Sequence, residues 1–234
     1  MNLNNAAVLI TGGSSGIGRA TAAVLKAAGA RVAITGRDAK RLEEAAAVLG
    51  VIGVVADVSK EADVLRTYTE VQAKLGGLDV LVNNAGIGVL KELVDLTLSE
   101  FESVFATNVT GAMLMGREAA KIFKAQNRGN IVNIASTASH RGAPKGTAYY
   151  ASKFALRGMT ECWRSELRKH NIRVMLVNPS EVITDFAQRA GFAQKDNASK
   201  LRSEDIAHII KAALEMDDRG FTTELTVFAT NPVD

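Results

Sequence analysis

The sequence predicts an α/β protein in which seven parallel strands form a doubly wound sheet with helices on both faces. Two observations favour this class. Short runs rich in Val, Ile and Leu alternate with longer stretches of helical period, and the runs are apolar almost throughout. A strand that is buried on both faces requires a continuous apolar run, whereas a strand with one solvated face alternates apolar and polar residues.

The predicted strands and helices alternate along the whole chain. The strands cover residues 7–11, 31–35, 51–56, 80–82, 130–135, 173–178 and 225–228, and the helices cover residues 16–28, 39–49, 60–75, 99–126, 149–169 and 204–216. Asp38, Ser59 and Ser203 stand at N-cap positions, and Gly29 stands where a helix end needs a residue that tolerates positive φ. With 234 residues and neither a repeat nor a linker, residues 1–234 are expected to form a single domain.

The order of these elements predicts where a ligand binds. Right-handed crossovers make all the strands point the same way, and ligands of doubly wound sheets bind beyond the carboxyl ends of the strands. Residues in the loops that follow the strands are therefore the candidates for a functional site.

The composition excludes several classes of protein. The chain is 47% apolar and 23% charged, and it has no apolar run near the roughly eighteen residues that span a bilayer. We therefore expect neither a membrane protein nor a disordered one. Lys and Arg number 28 against 25 Asp and Glu, an excess too small and too scattered for a nucleic-acid-binding surface.

The cysteine and histidine content bears on location and on metals. Cys162 is the only cysteine, and residues 1–5 lack the basic-then-apolar layout of a signal peptide, so we expect a cytoplasmic protein without an internal disulfide. His140, His170 and His208 lie too far apart in sequence for a local metal-binding motif. No metal is expected.

A glycine-rich turn joins the first predicted strand to the first predicted helix. It reads Gly-Gly-Ser-Ser-Gly-Ile-Gly over residues 12–18. Glycine permits a tight turn and removes the Cβ that would keep a phosphate away, while the helix N-terminus offers free N–H groups and about half a positive charge. We expect this turn to bind the pyrophosphate of a dinucleotide. The expected contacts are Gly12, Ser14, Ser15, Gly16, Ile17 and Gly18.

A nucleoside-triphosphate-binding P-loop is the alternative interpretation of this turn, because Gly13 and Gly18 have its spacing. Arg19 and Ala20 follow, however, where a P-loop needs lysine and then serine or threonine. Both the lysine that binds phosphate and the hydroxyl that binds magnesium are missing. We therefore exclude nucleoside-triphosphate hydrolysis.

The end of the second strand distinguishes the two nicotinamide dinucleotides. An acidic residue there binds the ribose 2′-hydroxyl of NAD(H), whereas a basic residue suits the 2′-phosphate of NADP(H). The sequence has Thr35, Gly36 and Arg37, and the planar guanidinium of Arg37 can bind a phosphate. Asp38 is the counter-argument, but it fits better as the N-cap of the next helix. We predict NADP(H) as the preferred cofactor and NAD(H) as the less favoured one.

Four motifs occur in order along the chain: Thr-Gly-x-x-x-Gly-Ile-Gly at 11–18, Asn-Asn-Ala-Gly at 83–86, a serine at 136 and Tyr-x-x-x-Lys at 149–153. With these motifs the chain resembles the short-chain dehydrogenase/reductase family over essentially its whole length. The resemblance implies a single Rossmann-like domain and an NADP(H)-dependent oxidoreductase of carbonyls and secondary alcohols. It also implies four catalytic residues, namely Asn108, Ser136, Tyr149 and Lys153.

In the pattern of this family Tyr149 is the general acid/base, which gives a proton to the substrate oxygen during reduction. A free phenol has a pKa of about 10, too high for ready exchange at neutral pH. Lys153 lies four residues on, on the same helix face, so its ammonium should favour the phenolate. The resemblance implies that Lys153 also reaches the nicotinamide ribose. Tyr150 lies three residues from Lys153 instead of four, so we expect it to pack beside the site or line it.

Ser136 and Asn108 complete the implied set. Ser136 stands just past the fifth strand, and its hydroxyl is expected to polarise the substrate carbonyl. Thr137 and Ser139 are nearby alternatives with a simpler interpretation as turn residues. Asn108 is a polar amide midway along a long apolar helix, which is an unfavoured place for it. The resemblance implies that it holds water in a proton relay to Lys153. The alternative is a core asparagine whose hydrogen bonds are satisfied within the protein.

The resemblance also implies further cofactor contacts. Asn84, Ala85 and Gly86 shape the cleft, Asp57 and Val58 hold the adenine ring, and Pro179, Val182 and Thr184 contact the nicotinamide carboxamide. The alternative for Asp57 is an ordinary loop carboxylate. Tyr149 and Lys153 contact the cofactor as well. Ser180 replaces the glycine that usually follows this proline, which puts the backbone conformation there in question.

Residues 185–203 leave room for only a short substrate lid. Phe186, Ala190, Phe192 and Ala193 supply either an apolar lid surface or ordinary packing. Relatives that act on acyl-carrier-protein thioesters often have a glycine pair after the last strand, and this chain has none there. The chain is more similar to the branch that acts on small hydroxy acids and ketones, so the expected substrate is a small ketone, 3-oxoacyl or hydroxy-acid compound.

Two further expectations concern assembly and the alternative function. Helices 99–126 and 149–169 are apolar on more than one face, and the family resemblance implies a homotetramer or dimer. The alternative function is a catalytically silent protein of the same fold that only senses NADP(H). Such proteins usually lack the tyrosine or the lysine. Because all four implied catalytic residues are present, an enzyme is favoured.

Overall fold

The structure is a computed structural model that describes residues 1–192, 194 and 196–231. Its strands follow the predicted pattern. They are β1 (Ala7–Ile10), β2 (Arg31–Gly36), β3 (Ile52–Val55), β4 (Val80–Asn83), β5 (Gly129–Ile134), β6 (Ile172–Pro179) and β7 (Glu224–Val227). Over the described residues they form one seven-stranded sheet in the order β3-β2-β1-β4-β5-β6-β7, with every neighbouring pair parallel. The predicted doubly wound parallel sheet is therefore confirmed.

The helices occupy the connections between the strands. They are α1 (Gly16–Ala27), α2 (Ala39–Leu49), α3 (Glu61–Leu75), α4 (Leu98–Phe105), α5 (Ala112–Gln126), α6 (Thr147–Leu167), α7 (Asp185–Arg189) and α8 (Ser203–Glu215). Most predicted helices agree with these bounds to within two residues. No helix in the described part of the chain is both long and apolar enough to cross a membrane.

Apolar core residues cover both faces of the sheet. In β1, Val8 and Ile10 belong to the core under α1, α2 and α8, while Ala7 and Leu9 belong to the core under α3 and α5. Side chains of a strand alternate between the faces, so a strand covered on both sides needs apolar residues at every position. The apolar runs of the sequence are continuous because helices cover both faces of the strands.

The predicted helix 99–126 is interrupted in the structure. A π-helical segment, Ala106–Gly111, separates α4 from α5, and it contains Asn108. The turns of a π-helix are wider than those of an α-helix. Here the wider turn coincides with a tertiary contact, because the Asn108 side chain forms hydrogen bonds with the backbone of Ile87. Such bulges cannot be recognised from helical periodicity, because the apolar pattern continues through them.

Of the three predicted N-caps, only Asp38 is confirmed, with its carboxylate accepting from the Arg41 amide at 3.0 Å. Ser59 is not the cap of α3, because its hydroxyl instead donates to Asp57 Oδ1 at 2.7 Å and the helix begins one residue later. Ser203 is the first residue of α8, and Arg202 is the N-cap. Gly29 follows α1 with φ +89, as predicted for a helix end.

The sheet order places two loops together. β1 and β4 are neighbours, but the chain leaves β1 toward β2 and leaves β4 toward β5, so a crevice opens between the loops at their carboxyl ends. The glycine-rich turn follows β1, and the motif at 83–86 closes β4. The fold therefore brings both motifs to one crevice.

Candidate active site

A cleft of about 510 Å³ lies beyond the carboxyl ends of the strands. Nearly all the sequence-predicted site residues line it. Those lining residues are Gly12, Ser14, Ser15, Gly16, Ile17, Arg37, Asp57, Val58, Asn84, Ala85, Gly86, Ser136, Tyr149, Lys153, Pro179, Val182 and Thr184. Gly18 and Asn108 lie behind the lining, where each contacts residues that form it.

The glycine-rich turn needs its glycines for two different reasons. Gly12 and Gly16 have φ of +65 and +53, which side-chain-bearing residues rarely adopt. Gly18 has an ordinary φ, but a Cβ there would lie 2.4 Å from Asn84 Nδ2 and 2.5 Å from the Gly12 carbonyl oxygen. The first helical turn can therefore approach the crevice only without a side chain at residue 18.

Asn84 and Thr11 fasten the glycine-rich turn to the end of β4. The Asn84 amide Nδ2 donates to the carbonyls of Thr11 at 2.9 Å and Gly12 at 3.1 Å. The Thr11 hydroxyl in turn accepts from the backbone amides of Asn84 and Ala85, both at 3.0 Å. This clamp explains why the two motifs occur together. Sequence reasoning missed the role of Thr11, although a buried threonine that ends a strand was a signal for it.

Asp57 lies at the end of β3, on the rim of the cleft. Its Oδ1 accepts from the amide and the hydroxyl of Ser59, and its backbone amide donates to Asp63 Oδ2 at 2.9 Å. That backbone hydrogen bond is the main reason why the pKa of Asp63 lies below its ordinary value, with Arg66 as the next contribution. The Asp57 carboxylate is therefore held in one orientation at the cleft.

Tyr149 lies in the first turn of α6 and forms a side-chain hydrogen bond with Ser136. Ser136 follows β5, where its Oγ also accepts from the Ala138 amide at 3.1 Å. Desolvation in the cleft raises the pKa of Tyr149 to about 12, and the bond from Ser136 offsets only part of this. This direction is opposite to the one expected from Lys153, because loss of water around the phenol is the largest cause of the shift.

Lys153 is buried one helical turn beyond Tyr149. It is 5% exposed, its Nζ donates to the Ile134 carbonyl at 3.0 Å, and Nζ lies 5.7 Å from the centroid of the Tyr149 ring. Burial lowers the pKa of Lys153 from 10.5 to about 8. The lysine is therefore held beneath the tyrosine ring and loses its proton at a lower pH than an ordinary lysine.

This burial predicts a pH-dependent stability. Because the folded protein holds Lys153 at a pKa of about 8 and the unfolded chain at 10.5, the ionised lysine disfavours folding, and this cost disappears as the pH rises across that interval. Relative to Lys153→Met, the unfolding free energy of the wild type is expected to rise by about 3 kcal/mol from pH 8 to 10.5. Urea denaturation in the absence of nucleotide measures the unfolding free energy of both proteins at each pH. If the two free energies changed in parallel with pH, the lowered pKa of the buried Lys153 would be contradicted.

Asn108 is buried at 2% exposure, and its amide is engaged by the protein itself. Oδ1 accepts from the Ile87 amide, while Nδ2 donates to the Ile87 carbonyl and to Ser152 Oγ, each at 2.9 Å. A Cβ on Gly86 would lie 3.4 Å from Asn108 Oδ1 and 3.7 Å from Lys153 Nζ. The amide therefore fixes the loop after β4 against α6, right beside the lysine.

The loop after β6 contains the departure from the family pattern. Ser180 lines the cleft, its φ is not positive, and its amide donates to the Val227 carbonyl at 2.8 Å. Its backbone therefore has no need of glycine. Farther on, Val182 pairs with Leu201, and the Thr184 hydroxyl caps α7 by accepting from the Phe186 amide.

The predicted alternatives to the catalytic residues have structural partners. The Tyr150 ring packs edge-on against Tyr149, with 6.0 Å between their centroids, and fills the space beside Gly146. Ser139 is buried and donates to Asn178 Oδ1 at 3.0 Å. Thr137 begins a short 3₁₀ turn. Among the described residues, no three His, Cys, Asp or Glu side chains converge as metal ligands do.

The segment after Thr184 covers part of the cleft. The Phe186 ring lies 5.4 Å from the Tyr149 ring, and a Cβ on Gly88 would meet Phe186 at 2.7 Å and Ala190 at 3.2 Å. Of the predicted lid residues, Ala193 lies outside the described residues. Arg41 and Arg189 are among the cleft residues that sequence reasoning missed, because they are basic side chains on helices and carry no motif.

Comparison with known proteins identifies the family of the chain. The sequence model of the family described as short chain dehydrogenase matches residues 6–195. The chain belongs to the short-chain dehydrogenase/reductase family. It is accordingly an oxidoreductase of that family.

Individual members of the short-chain dehydrogenase/reductase family resemble the whole chain. An NADP-dependent 3-hydroxy acid dehydrogenase from Schizosaccharomyces pombe is 31% identical over 98% of this chain and 94% of its own. The crystal structure of 3-ketoacyl-(acyl-carrier-protein) reductase from Brucella melitensis complexed with NADH superimposes with a TM-score of 0.91, at 31% identity, covering 97% of this chain and 98% of that one. An alcohol dehydrogenase from Thermococcus sibiricus complexed with 5-hydroxy-NADP has a TM-score of 0.87 at 28% identity, covering 97% and 99% of the two chains.

Proposed function

We propose that this oxidoreductase transfers hydride between NADP(H) and the carbonyl or secondary alcohol of a small substrate, with Tyr149 as general acid/base. One observation carries the proposal. The hydroxyl of Tyr149 is bonded to Ser136 and its ring lies over Lys153, at the opposite end of the cleft from Arg37 and continuous with the glycine-rich turn.

Each of the four residues has a role that follows from its surroundings. With a pKa of about 12, Tyr149 is protonated at neutral pH, which is the form that gives a proton to a carbonyl oxygen. Ser136 donates to the same oxygen, Lys153 supplies positive charge under the phenol, and Asn108 holds the loop beside the lysine. The nicotinamide, when bound, supplies or accepts the hydride, so the protein needs only to orient the reactants and move the proton.

The residues at the glycine-rich turn fit a dinucleotide. Gly12 and Gly16 line the cleft without side chains, and the N-terminus of α1, which has no side-chain cap, begins at this turn. We propose contacts to the phosphates from this turn, to the adenine from Asp57 and Val58, and to the nicotinamide end from residues 84–86 and 179–184.

The preference for NADP(H) rests on Arg37. No carboxylate ends β2, and among the described residues the Arg37 side chain has no ion-pair partner, so its guanidinium is available to a phosphate. The relatives differ in the nucleotide with which they are named. The fission yeast relative is named as NADP-dependent, and the Brucella reductase was solved with NADH.

Arg37→Ala is expected to weaken NADPH binding by roughly ten-fold and to change NADH binding by less than two-fold, since one charge-assisted contact to phosphate is lost. Fluorescence titration of both nucleotides measures the effect. Lys40→Ala is the matched control, because it removes one exposed positive charge from the same helix start without touching the cleft. An equal loss for both nucleotides would remove the 2′-phosphate argument.

We further propose that residues 1–234 act as a single domain, that residues 185–203 are the substrate lid and that the substrate is a small ketone, 3-oxoacyl or hydroxy-acid compound. The apolar contact of Phe186 with Tyr149 supports this. A cytoplasmic homotetramer or dimer belongs to the same proposal, since Leu98 and Phe154 on α4 and α6 are large exposed apolar residues. No contact with nucleic acid or membrane is proposed.

A turnover screen tests the proposed reaction. Ketones, 3-oxoacyl thioesters and hydroxy acids are each assayed with NADP(H) and with NAD(H), and the change in absorbance of the reduced nicotinamide is followed. NADP(H)-dependent turnover of at least one class is expected. Tight NADPH binding without any turnover would favour the catalytically silent, cofactor-sensing protein instead.

A further inference from the structure

Two arginines fasten α7 to the cofactor side of the cleft. Arg41, in the first turn of α2, forms an ion pair with Asp185, the first residue of α7. Arg189, the last residue of α7, donates to Ser15 Oγ in the glycine-rich turn at 3.3 Å. Both arginines line the cleft. The short helix is therefore held at each of its ends by a residue of the proposed nucleotide site or its rim.

Arg41 lies at the same corner of the cleft as Arg37. The Arg41 amide is bonded to the Asp38 carboxylate, so its side chain starts next to the end of β2. The side chains of Arg41 and Asp185 are 40% and 54% exposed, and no buried packing fixes either of them. Arg41 can therefore turn from the carboxylate toward the cleft by side-chain rotation alone.

We propose that Arg41 is a second arginine for the 2′-phosphate and that Asp185 competes with the phosphate for it. This inference rests on the proposed use of NADP(H). A dianionic phosphate beside Arg37 can accept two hydrogen bonds from the Arg41 guanidinium, as a carboxylate does. The phosphate also carries more negative charge than the Asp185 carboxylate. NAD(H) has only a hydroxyl at this position and leaves the pair of Arg41 with Asp185 intact.

The competition connects the adenosine end of the cleft to the substrate end. α7 carries Phe186, whose ring lies 5.4 Å from the Tyr149 ring, and Ala190, next to Gly88, follows the helix. Loss of the bond at Asp185 frees the first residue of α7, while Arg189 still holds its last one. A 2′-phosphate is thus expected to loosen the covering over Tyr149, and a 2′-hydroxyl is not.

Two nucleotide fragments isolate this effect from catalysis. 2′,5′-ADP carries the phosphate in question and 5′-AMP lacks it. With Asp185→Asn the competitor is neutral, so calorimetry is expected to show 2′,5′-ADP binding about two- to five-fold tighter than to the wild type, and 5′-AMP binding unchanged. In an Arg41→Ala background, Asp185→Asn is expected to change neither affinity.

Asp196→Asn is the matched control. It neutralises one exposed carboxylate of the same segment, which is paired with Arg202 on the surface, and neither residue lines the cleft. It removes the same charge and the same kind of ion pair. Its affinity for 2′,5′-ADP is expected to equal that of the wild type, which separates competition for Arg41 from a general charge effect.

Deuterium uptake of a peptide covering residues 185–192 gives a second readout. Saturating 2′,5′-ADP is expected to raise the uptake above that with 5′-AMP in the wild type, and to make no difference in Asp185→Asn. Unchanged or weaker 2′,5′-ADP binding to Asp185→Asn, or equal uptake with both fragments, would overturn the inference. If the wild type itself bound 2′,5′-ADP no better than 5′-AMP, the NADP(H) preference would be the part that fails.

Discussion

Tyr149→Phe is expected to lower kcat by about 10²- to 10⁴-fold, which is the usual contribution of a positioned general acid. The phenylalanine ring keeps the contacts with Tyr150 and Phe186, and only the hydroxyl bonded to Ser136 is lost. NADPH affinity is therefore expected to stay within about two-fold, because the change removes no charge from the cofactor cleft. Steady-state kinetics on the best substrate of the screen, with a fluorescence titration of NADPH, measure both quantities.

Tyr150→Phe is the control for this variant. It removes the same hydroxyl from the neighbouring ring, which packs against Gly146, and it leaves the bond between Tyr149 and Ser136 in place. Activity close to that of the wild type is expected. If the Tyr149 variant retained full turnover, or if the two variants lost turnover equally, the assignment of the proton donor would be wrong.

Gly18→Ala is expected to reduce NADPH affinity by more than ten-fold and to destabilise the fold by about 1–3 kcal/mol, the usual cost of overpacking. The new methyl would lie 2.5 Å from a backbone carbonyl and 2.4 Å from the Asn84 amide that holds Gly12. Neither neighbour can yield without moving the glycine-rich turn. Thermal unfolding and NADPH titration report the two effects separately.

Gly158→Ala is the matched control, since this glycine also lies inside a helix but has no atom within 4 Å of an added Cβ. Alanine there is expected to stabilise the protein by about 0.5–1 kcal/mol and to leave nucleotide binding unchanged. A Gly18→Ala protein that bound NADPH as tightly as the wild type would show that the close approach to Asn84 is not needed for the cofactor cleft.

Much of the fold could be predicted because its signals are local. In β1 each side chain faces one of two apolar cores, so the run of apolar residues marks a doubly covered strand wherever it occurs. The glycine-rich turn is equally local, since Gly12 and Gly16 take backbone conformations that the residue type itself permits. Asp38 could be predicted as a cap because its partner is only three residues away.

Other features depend on atoms far away in the sequence. Ser59 has the right residue type for a cap, but Asp57 competes for its hydroxyl. The π-helical segment around Asn108 accompanies the contact with Ile87, which helical periodicity does not contain. The pKa of Tyr149 is raised because the folded cleft removes water from the phenol, and the sequence does not show this burial.

Motifs and periodicity in the sequence were enough to predict the parallel sheet, the family, the glycine-rich turn and the four residues proposed for catalysis, because they are properties of neighbouring positions. The clamp of Thr11 and Asn84 between the two loops, and the ion pair of Arg41 with Asp185 across 144 positions, become visible in the folded chain alone. Such contacts depend on how the helices pack on the sheet. The sequence around Arg41 does not indicate a contact with Asp185, and the sequence around Asp185 does not indicate one with Arg41.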